Sequence, residues 1–155
     1  MSEHGGSQAY QGSQSRRGLA RRLTVQALYQ WLVNESPPEG MLAQFREQPE
    51  GLGRADGEYF NELLKGVVEQ APDLTMMLVP HLDRPLNQLD PVEHAVLLLG
   101  AYELRYKVDV PWKVVVNEAV NLAKIFGAEE GYKFVNGVLD KIARDARGTE
   151  IGAGS

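Results

Sequence analysis

The chain has 155 residues, a formal net charge of −5 at pH 7, and 43% hydrophobic residues. This length and balance fit one globular domain with a core of its own, and the absence of cysteine excludes a disulfide framework and a cysteine-bound zinc site. No apolar run approaches the roughly 18 residues that span a membrane, and the polar start has no signal-peptide pattern, so we expect a cytoplasmic protein.

The N-terminal end of the sequence predicts a polar tail that leads into a helix. Residues 1–15 are rich in glycine, serine and glutamine, which is typical of a disordered tail. A helix begins near Ser15 and ends before the paired prolines after Ser36, because proline removes a backbone donor and blocks the helical turn. Four-residue spacing gives this helix a predicted apolar stripe of Leu19, Leu23, Ala27 and Trp31.

Six further helices follow in chain order. They cover residues 41–48, 55–71, 72–79, 91–106, 114–126 and 129–144, and no run alternates with the period of a strand. The helix over 91–106 begins with an Asp90-Pro91 cap and is apolar over most of its surface, which places it at the centre of a bundle. The sequence therefore predicts an all-α fold of about seven helices over residues 16–146, followed by a frayed tail over 147–155.

The positive charge of this acidic protein is concentrated at its start. Residues 1–22 contain four arginines and one acid, a local charge of +3, so the remainder carries −8. Arginine binds phosphate oxygens in pairs and stacks on bases, which favours a nucleic-acid contact. A solvated helix face is the alternative, and the pattern alone does not separate RNA from DNA or from an acidic protein. The four arginines are Arg16, Arg17, Arg21 and Arg22.

The sequence offers no pattern for catalysis, a metal ion or a cofactor. His4, His81 and His94 stand apart, without the spacing of a metal site. No serine lies in a nucleophile elbow. The glycines of residues 51–57 lack the ending of a phosphate loop, and a flexible turn explains them better.

The last predicted helix contains a second candidate for RNA contact. Phe134 lies between Lys133 and the apolar stripe, so its ring either belongs to the core or stacks on a base beside Lys133 and Asn136. Gly137 in mid-helix costs about 1 kcal/mol relative to alanine, which suggests close packing there, for instance against Tyr29.

Several segments, taken together and in this order, resemble the NusB family of bacterial transcription antitermination factors. The resemblance covers roughly residues 16–145. The segments are TVQALYQ at 24–30, PVE at 91–93 with AYEL at 101–104, DVPWKVVVNEA at 109–119, AKIFGAE at 123–129 and KFVNGVLDK at 133–141.

This resemblance implies two packed helical subdomains and a function in transcription. The family binds the boxA element of nascent ribosomal RNA together with ribosomal protein NusE. These factors join an antitermination complex with NusA, NusG and RNA polymerase. No catalysis and no cofactor are implied.

The resemblance also implies roles for individual residues. RNA contacts are expected at Arg16, Arg17, Arg21, Arg22, Glu130, Lys133, Phe134 and Asn136. The family's NusE-facing positions correspond to Tyr29 and Glu93. Three features depart from the family pattern: the N-terminal tail is long, Gly18 interrupts the basic run, and His81 stands where a tyrosine would suit RNA contact better.

Two other functions remain open at the level of sequence. The chain could be a protein-interaction module or a homodimer whose RNA face is occluded. The RNA-binding domain of a ribosomal RNA methyltransferase shares this fold, but that protein needs a large C-terminal cofactor-binding domain, and the sequence stops at Ser155 without one.

Overall fold

The computed structural model describes residues 15–47 and 52–153, so the predicted disordered tail lies outside it except for Ser15. Within the described residues the chain forms seven α-helices and no strand, which confirms the predicted all-α bundle. Two short 3-10 turns, Val79–His81 and Leu86–Gln88, connect the third helix to the fourth. The helices are α1 Arg16–Asn34, α2 Pro38–Glu47, α3 Gly57–Leu78, α4 Pro91–Tyr106, α5 Trp112–Phe126, α6 Gly131–Ala146 and α7 Gly148–Ala153.

Helix α4 is the centre of the bundle, as its sequence predicts. The Asp90 side chain accepts a hydrogen bond from the Val92 N–H at 3.1 Å, and Pro91 occupies the first position, where a helix needs no donor. Every residue from 95 to 104 is buried. The helix packs against α1 and α3 on one side and against α5 and α6 on the other, so it joins the two packed subdomains.

The predicted break at Pro72 is wrong, because α3 continues through this proline to Leu78. A proline inside a helix costs about 3 kcal/mol, since it removes one backbone hydrogen bond. Pro72 itself is exposed, whereas Leu74 and Leu78 beyond it are fully buried. Burying one leucine contributes about 1.5–3 kcal/mol, so two of them outweigh the cost of the proline.

The face of α1 that packs most deeply in the core lies beside the predicted apolar stripe. Its start is as predicted, because the Ser15 hydroxyl oxygen accepts a hydrogen bond from the Gly18 N–H at 2.9 Å. Of the predicted stripe, only Ala27 is fully buried. The buried row lies beside it, at spacings of three and four residues, and consists of Arg21, Thr24, Val25 and Leu28.

The sequence predicts a frayed tail over residues 147–155, whereas the structure has the short helix α7 over Gly148–Ala153. The preceding Arg147 is buried, and its guanidinium donates to three carbonyl oxygens at the end of α4, at 2.7–3.1 Å. Glu150 in α7 pairs with Arg147 and accepts a hydrogen bond from the Trp112 N–H at the start of α5. One arginine therefore caps α4 and holds the C-terminal segment against it. The three carbonyls belong to Glu103, Leu104 and Lys107.

Candidate nucleic-acid interface

Three of the four clustered arginines lie at the surface of α1. Arg16 and Arg17 are exposed, and Arg22 is half-buried. The Arg16 Nε donates to the carbonyl of Arg54 at 3.3 Å. Arg22 lies beside Arg54 in a cavity of about 430 Å³ and forms no ion pair with any described residue. Its guanidinium is therefore free to meet an external anion.

Arg54 was not singled out from the sequence, which predicts only a flexible turn over residues 51–57. In the structure, the described part of this turn is fixed against α1, because the Asp56 N–H donates to the Arg16 carbonyl at 2.9 Å. Arg54 thereby adds a cation to the surface that holds Arg16 and Arg22. Its own basic charge beside the loop glycines was the only signal in the sequence.

Arg17 is held over an aromatic ring. Its guanidinium carbon lies 4.2 Å from the centroid of the Tyr59 ring, a cation–π contact. One Arg17 nitrogen also lies 3.5 Å from an oxygen of Asp109, but both side chains are well exposed, so this ion pair is weak. Since a weak surface pair exchanges readily, Arg17 is poised for a stronger anion without losing its support on Tyr59.

Arg21 faces the opposite way and lies in the core. It is 4% exposed, and its Nε lies 3.0 and 2.9 Å from the two carboxylate oxygens of Glu103. Glu118 lies 3.8 Å from another Arg21 nitrogen, and the Tyr59 hydroxyl donates to Glu103. Although burial alone lowers the pKa of Arg21, Glu103 and Tyr59 raise it above its ordinary value, so the guanidinium stays charged.

This buried network supports the surface arginines from beneath. Burial, followed by the charge of Glu103, raises the pKa of Tyr59 and keeps its hydroxyl protonated as a donor. Tyr59 is thereby fixed between Glu103 and the guanidinium of Arg17. Arg21 presents no free surface to a phosphate in this arrangement, so the geometry gives direct RNA contact at Arg21 no support. An acid inside the apolar α4 was the signal in the sequence, because a buried carboxylate requires a partner.

The residues of the second candidate RNA site, in α6, lie on different sides of the helix. Lys133 and Glu130 are exposed and pair at 2.8 Å. Phe134 is half-buried, packs against the core and carries the guanidinium of Arg84 on its ring. Asn136 is exposed, but two residues correspond to about 200° around a helix, so it points away from Phe134. The structure is therefore compatible with both interpretations of Phe134, because part of the ring packs against the core and part remains exposed.

The predicted close packing at Gly137 is wrong. A β-carbon built at this position would meet no atom within 4 Å, so the helix surface there is open. Tyr29 does not cover it. Because glycine has no side chain, the exposed side of α6 has a shallow depression at Gly137, one turn beyond Phe134.

The two candidate RNA sites lie towards opposite ends of α4. Arg21 pairs with Glu103 near the end of α4, and the surface arginines lie next to Arg21 on α1. The start of α6 lies against Glu93 near the beginning of α4, because a β-carbon at Gly131 would lie 2.5 Å from a Glu93 oxygen. Ten residues of helix separate Glu93 from Glu103, which is about 15 Å. A single molecule that touches both sites must therefore span a distance of about this size.

Tyr29, one of the two predicted partner-binding residues, belongs to a third surface. Tyr29 is 41% exposed and lines a cavity of about 440 Å³ together with Val92 and Phe126, so α1, α4 and α5 all contribute to it. The neighbouring Val33 and Ile125 are also exposed, at 48% and 46%. Such an apolar groove with exposed aromatic and aliphatic side chains is typical of a protein-binding surface.

Glu93 follows Val92 of this groove in the chain and is itself buried. The residue is 6% exposed, and its Oε1 has no hydrogen-bond partner among the described residues. Burial, with a further contribution from Asp90, raises the pKa of the Glu93 carboxyl. A buried acceptor without a donor costs free energy, which a donor on a bound partner would recover.

No group of three or more metal-ligating side chains occurs in residues 15–47 and 52–153. His81 instead lies 3.1 Å from Asp145 at the far end of α6, and burial lowers the pKa of His94. None of the helices formed by the described ranges is both long and apolar enough to cross a membrane.

Comparison with known proteins places the chain in a family. The model of the NusB family matches residues 19–144. The transcription antitermination protein NusB of Ralstonia pickettii is 49% identical over 141 residues, which cover 91% of this chain and 90% of the relative. The protein of the same name from Nitrosomonas europaea is 43% identical over 144 residues, 93% of this chain and 86% of the relative.

Solved structures with this fold lead to the same family. NusB from T. maritima superposes with a TM-score of 0.71 at 30% sequence identity, covering 84% of this chain and 91% of that one. A crystal structure of the antitermination factors NusB and NusE in complex with double-stranded RNA matches with a TM-score of 0.69 at 25% identity, covering 82% and 95%. From its sequence and its fold, this chain belongs to the NusB family.

Proposed function

We propose that this protein is a transcription antitermination factor that binds the boxA element of nascent ribosomal RNA together with NusE. The observation that carries the proposal is the set of surface arginines on α1, which is built on a buried ion-pair network in an acidic chain of this family. Relatives at 43–50% identity carry the name antitermination protein, and a structural neighbour was solved with NusE and RNA.

RNA would be held at two places along the protein. Arg16, Arg17 and Arg22 supply phosphate contacts at one end, while Lys133 and Phe134 supply charge and a stacking ring at the other. An RNA that touches both sites spans the roughly 15 Å of α4 between their anchors, and a base that stacks at Phe134 must be unpaired, which favours a single strand. The acidic remainder of the protein would repel RNA elsewhere and so confine it to this path.

In this proposal Arg21 has a positioning role. It neutralises Glu103 and Glu118 inside the bundle, and Glu103 in turn fixes Tyr59 beneath Arg17. Glu130 lies at the edge of the second site and holds Lys133 in place, whereas Asn136 points away from Phe134 and would reach only a part of the RNA that passes the other side of α6.

NusE would bind in the groove around Tyr29. The exposed ring and its aliphatic neighbours supply apolar contact area, and a donor from NusE would satisfy the unpaired oxygen of Glu93. The groove contains Val92, and the start of α6 lies against the next residue, Glu93, so bound NusE would lie next to the Phe134 end of the RNA path. The pair would then enter the antitermination complex with NusA, NusG and RNA polymerase.

The test is a titration of fluorescent boxA RNA and of a scrambled RNA of equal composition, with and without NusE. We expect boxA to bind more tightly than the scrambled strand, NusE to widen the difference, and affinity to fall steeply with salt because several arginines release counterions. Glu93→Ala should lose the effect of NusE and keep the affinity for RNA alone. Equal affinity for both RNAs in the presence of NusE would contradict the proposal.

A further inference from the structure

Arg84 covers an aromatic ring at the second RNA site. It lies in the connection between the two 3-10 turns, and its guanidinium carbon is 4.3 Å from the centroid of the Phe134 ring. Phe134 thus carries on one face the same kind of plane that stacks on nucleobases. No local pattern in the sequence singles out Arg84, because it lies fifty residues from the motif that contains Phe134.

The hydrogen bonds of this guanidinium contribute little to the fold. Its Nε and Nη2 bond only to the neighbouring Asp83, at 2.6 and 3.1 Å, and both side chains are exposed. Such a surface pair contributes little to stability. The connection is fixed separately, because the first 3-10 turn packs on α6 and His81 bonds to Asp145. Arg84 Nη1 has no acceptor among the described residues, so one edge of the plane remains open.

The surroundings of Arg84 suit an extended anionic strand. One turn beyond Phe134, no other described residue has an atom within 4 Å of the β-carbon position of Gly137, which leaves room for a ligand backbone to approach α6. Lys133 is exposed beside Phe134, and Lys141 lies further along the same side of α6, close enough to Asp83 to lower the pKa of its carboxyl, after the larger effect of the Arg84 hydrogen bond. Arg84 therefore contacts the ring, while Lys133 and Lys141 add positive charge before and after it along α6.

We propose that Arg84 is an RNA-binding residue whose guanidinium, stacked on Phe134, receives a base of single-stranded RNA on its outer face. This inference rests on the proposed function and adds a residue to its second site. Ring, guanidinium and base would form three parallel layers, with the open Nη1 edge directed at a phosphate. Phe134 then acts through Arg84, and a base need not displace the guanidinium to be bound.

Two substitutions separate the plane of Arg84 from its charge. Arg84→Lys keeps the charge and removes the plane, whereas Arg84→Gln removes both. Arg46 is the matched control, because it is an exposed arginine on α2, which packs on α1 and α3. The variants Arg46→Lys and Arg46→Gln change the net charge by the same amounts as the Arg84 variants. A thermal melt of each variant confirms that the fold is kept.

The assay is the affinity for boxA RNA in which a fluorescent purine analogue replaces each base in turn. We expect Arg84→Lys to bind about tenfold more weakly, the range of one lost stacking interaction, and to lose the quenching of one analogue position. Both Arg46 variants should bind within about twofold of the original protein. Combining Arg84→Lys with Phe134→Leu should weaken binding by less than the product of the two single effects, because both remove the same stack.

Other results would overturn the inference. If Arg84→Lys binds as the original protein does while Arg84→Gln is weaker, Arg84 acts as a charge and not as a stacking plane. If neither variant changes RNA affinity but both weaken NusE binding, the surface serves a protein. The proposed function fails separately, when the original protein does not distinguish boxA from the scrambled RNA. Stacking tolerates any base, so the loss in Arg84→Lys would still be measurable on either strand.

Discussion

Replacement of Arg21 by methionine separates the buried member of the arginine cluster from the exposed ones. Methionine keeps the unbranched shape of the arginine stem, so the change removes the charge and leaves little cavity. Glu103 and Glu118 then stay in the core with side chains 2% and 5% exposed and without their cation. The perturbation therefore acts on the fold first and on RNA only through it.

The size of the effect follows from these contacts. Removing one partner of a buried ion pair costs about 3–5 kcal/mol. The Tyr59 hydroxyl still donates to Glu103 in the variant, so we expect the lower end, about 3 kcal/mol. For a chain of this size each kcal/mol lowers the melting temperature by about 2–4 °C, which gives a fall of about 6–12 °C.

The assay is urea unfolding followed by circular dichroism, with Arg22→Met as the matched control. Arg22 forms no ion pair with a described residue, so its variant should unfold within about 0.5 kcal/mol of the original protein and lose RNA affinity instead. Adding Glu103→Gln to Arg21→Met should restore part of the lost stability, because the uncompensated charge is gone. Equal unfolding midpoints for Arg21→Met and Arg22→Met would refute the reasoning.

Three further predictions concern stability and are checked by the same unfolding measurement. Burial raises the pKa of Glu93, so ionised Glu93 costs stability as pH rises through that pKa; Glu93→Gln should be more stable at neutral pH, with the advantage shrinking in acid, and lower stability at pH 7 would contradict this. Arg147→Met removes a donor from three carbonyls, of which those of Glu103 and Lys107 keep a backbone N–H, and should lose about 1–3 kcal/mol, while an unchanged midpoint would mean that water replaces the guanidinium. Gly66→Ala places a β-carbon 2.2 Å from the Tyr102 hydroxyl oxygen and should cost about 1–3 kcal/mol of stability. Gly137→Ala adds its β-carbon in open space and should gain up to about 1 kcal/mol. A stabilising Gly66→Ala together with a destabilising Gly137→Ala would contradict this packing.

Local signals were enough to predict most of the helices. Asp90-Pro91 fixes the start of α4, and a surface that is mostly apolar places the helix at the centre, as the structure has it. Ser15 caps α1, and the prolines after Ser36 lie beyond its end. Caps and prolines act within a few residues, so a single sequence contains the information they need.

Long-range packing explains what the sequence did not predict. Pro72 breaks a helix by local rules, but the leucines beyond it are held by the rest of the bundle. Arg21 and Arg22 are neighbours with the same side chain, yet one is buried by Glu103, eighty-two residues away. Charge counting treats the two arginines alike, and only the burial of the acid distinguishes them.

The central claim is tested most directly by terminator read-through in a reconstituted transcription reaction. The reaction contains RNA polymerase, NusA, NusE and NusG, and its template carries boxA upstream of a terminator. We predict that adding this protein raises read-through on the boxA template and leaves it unchanged on a template with a scrambled element. The same read-through on both templates, with and without the protein, would contradict the account.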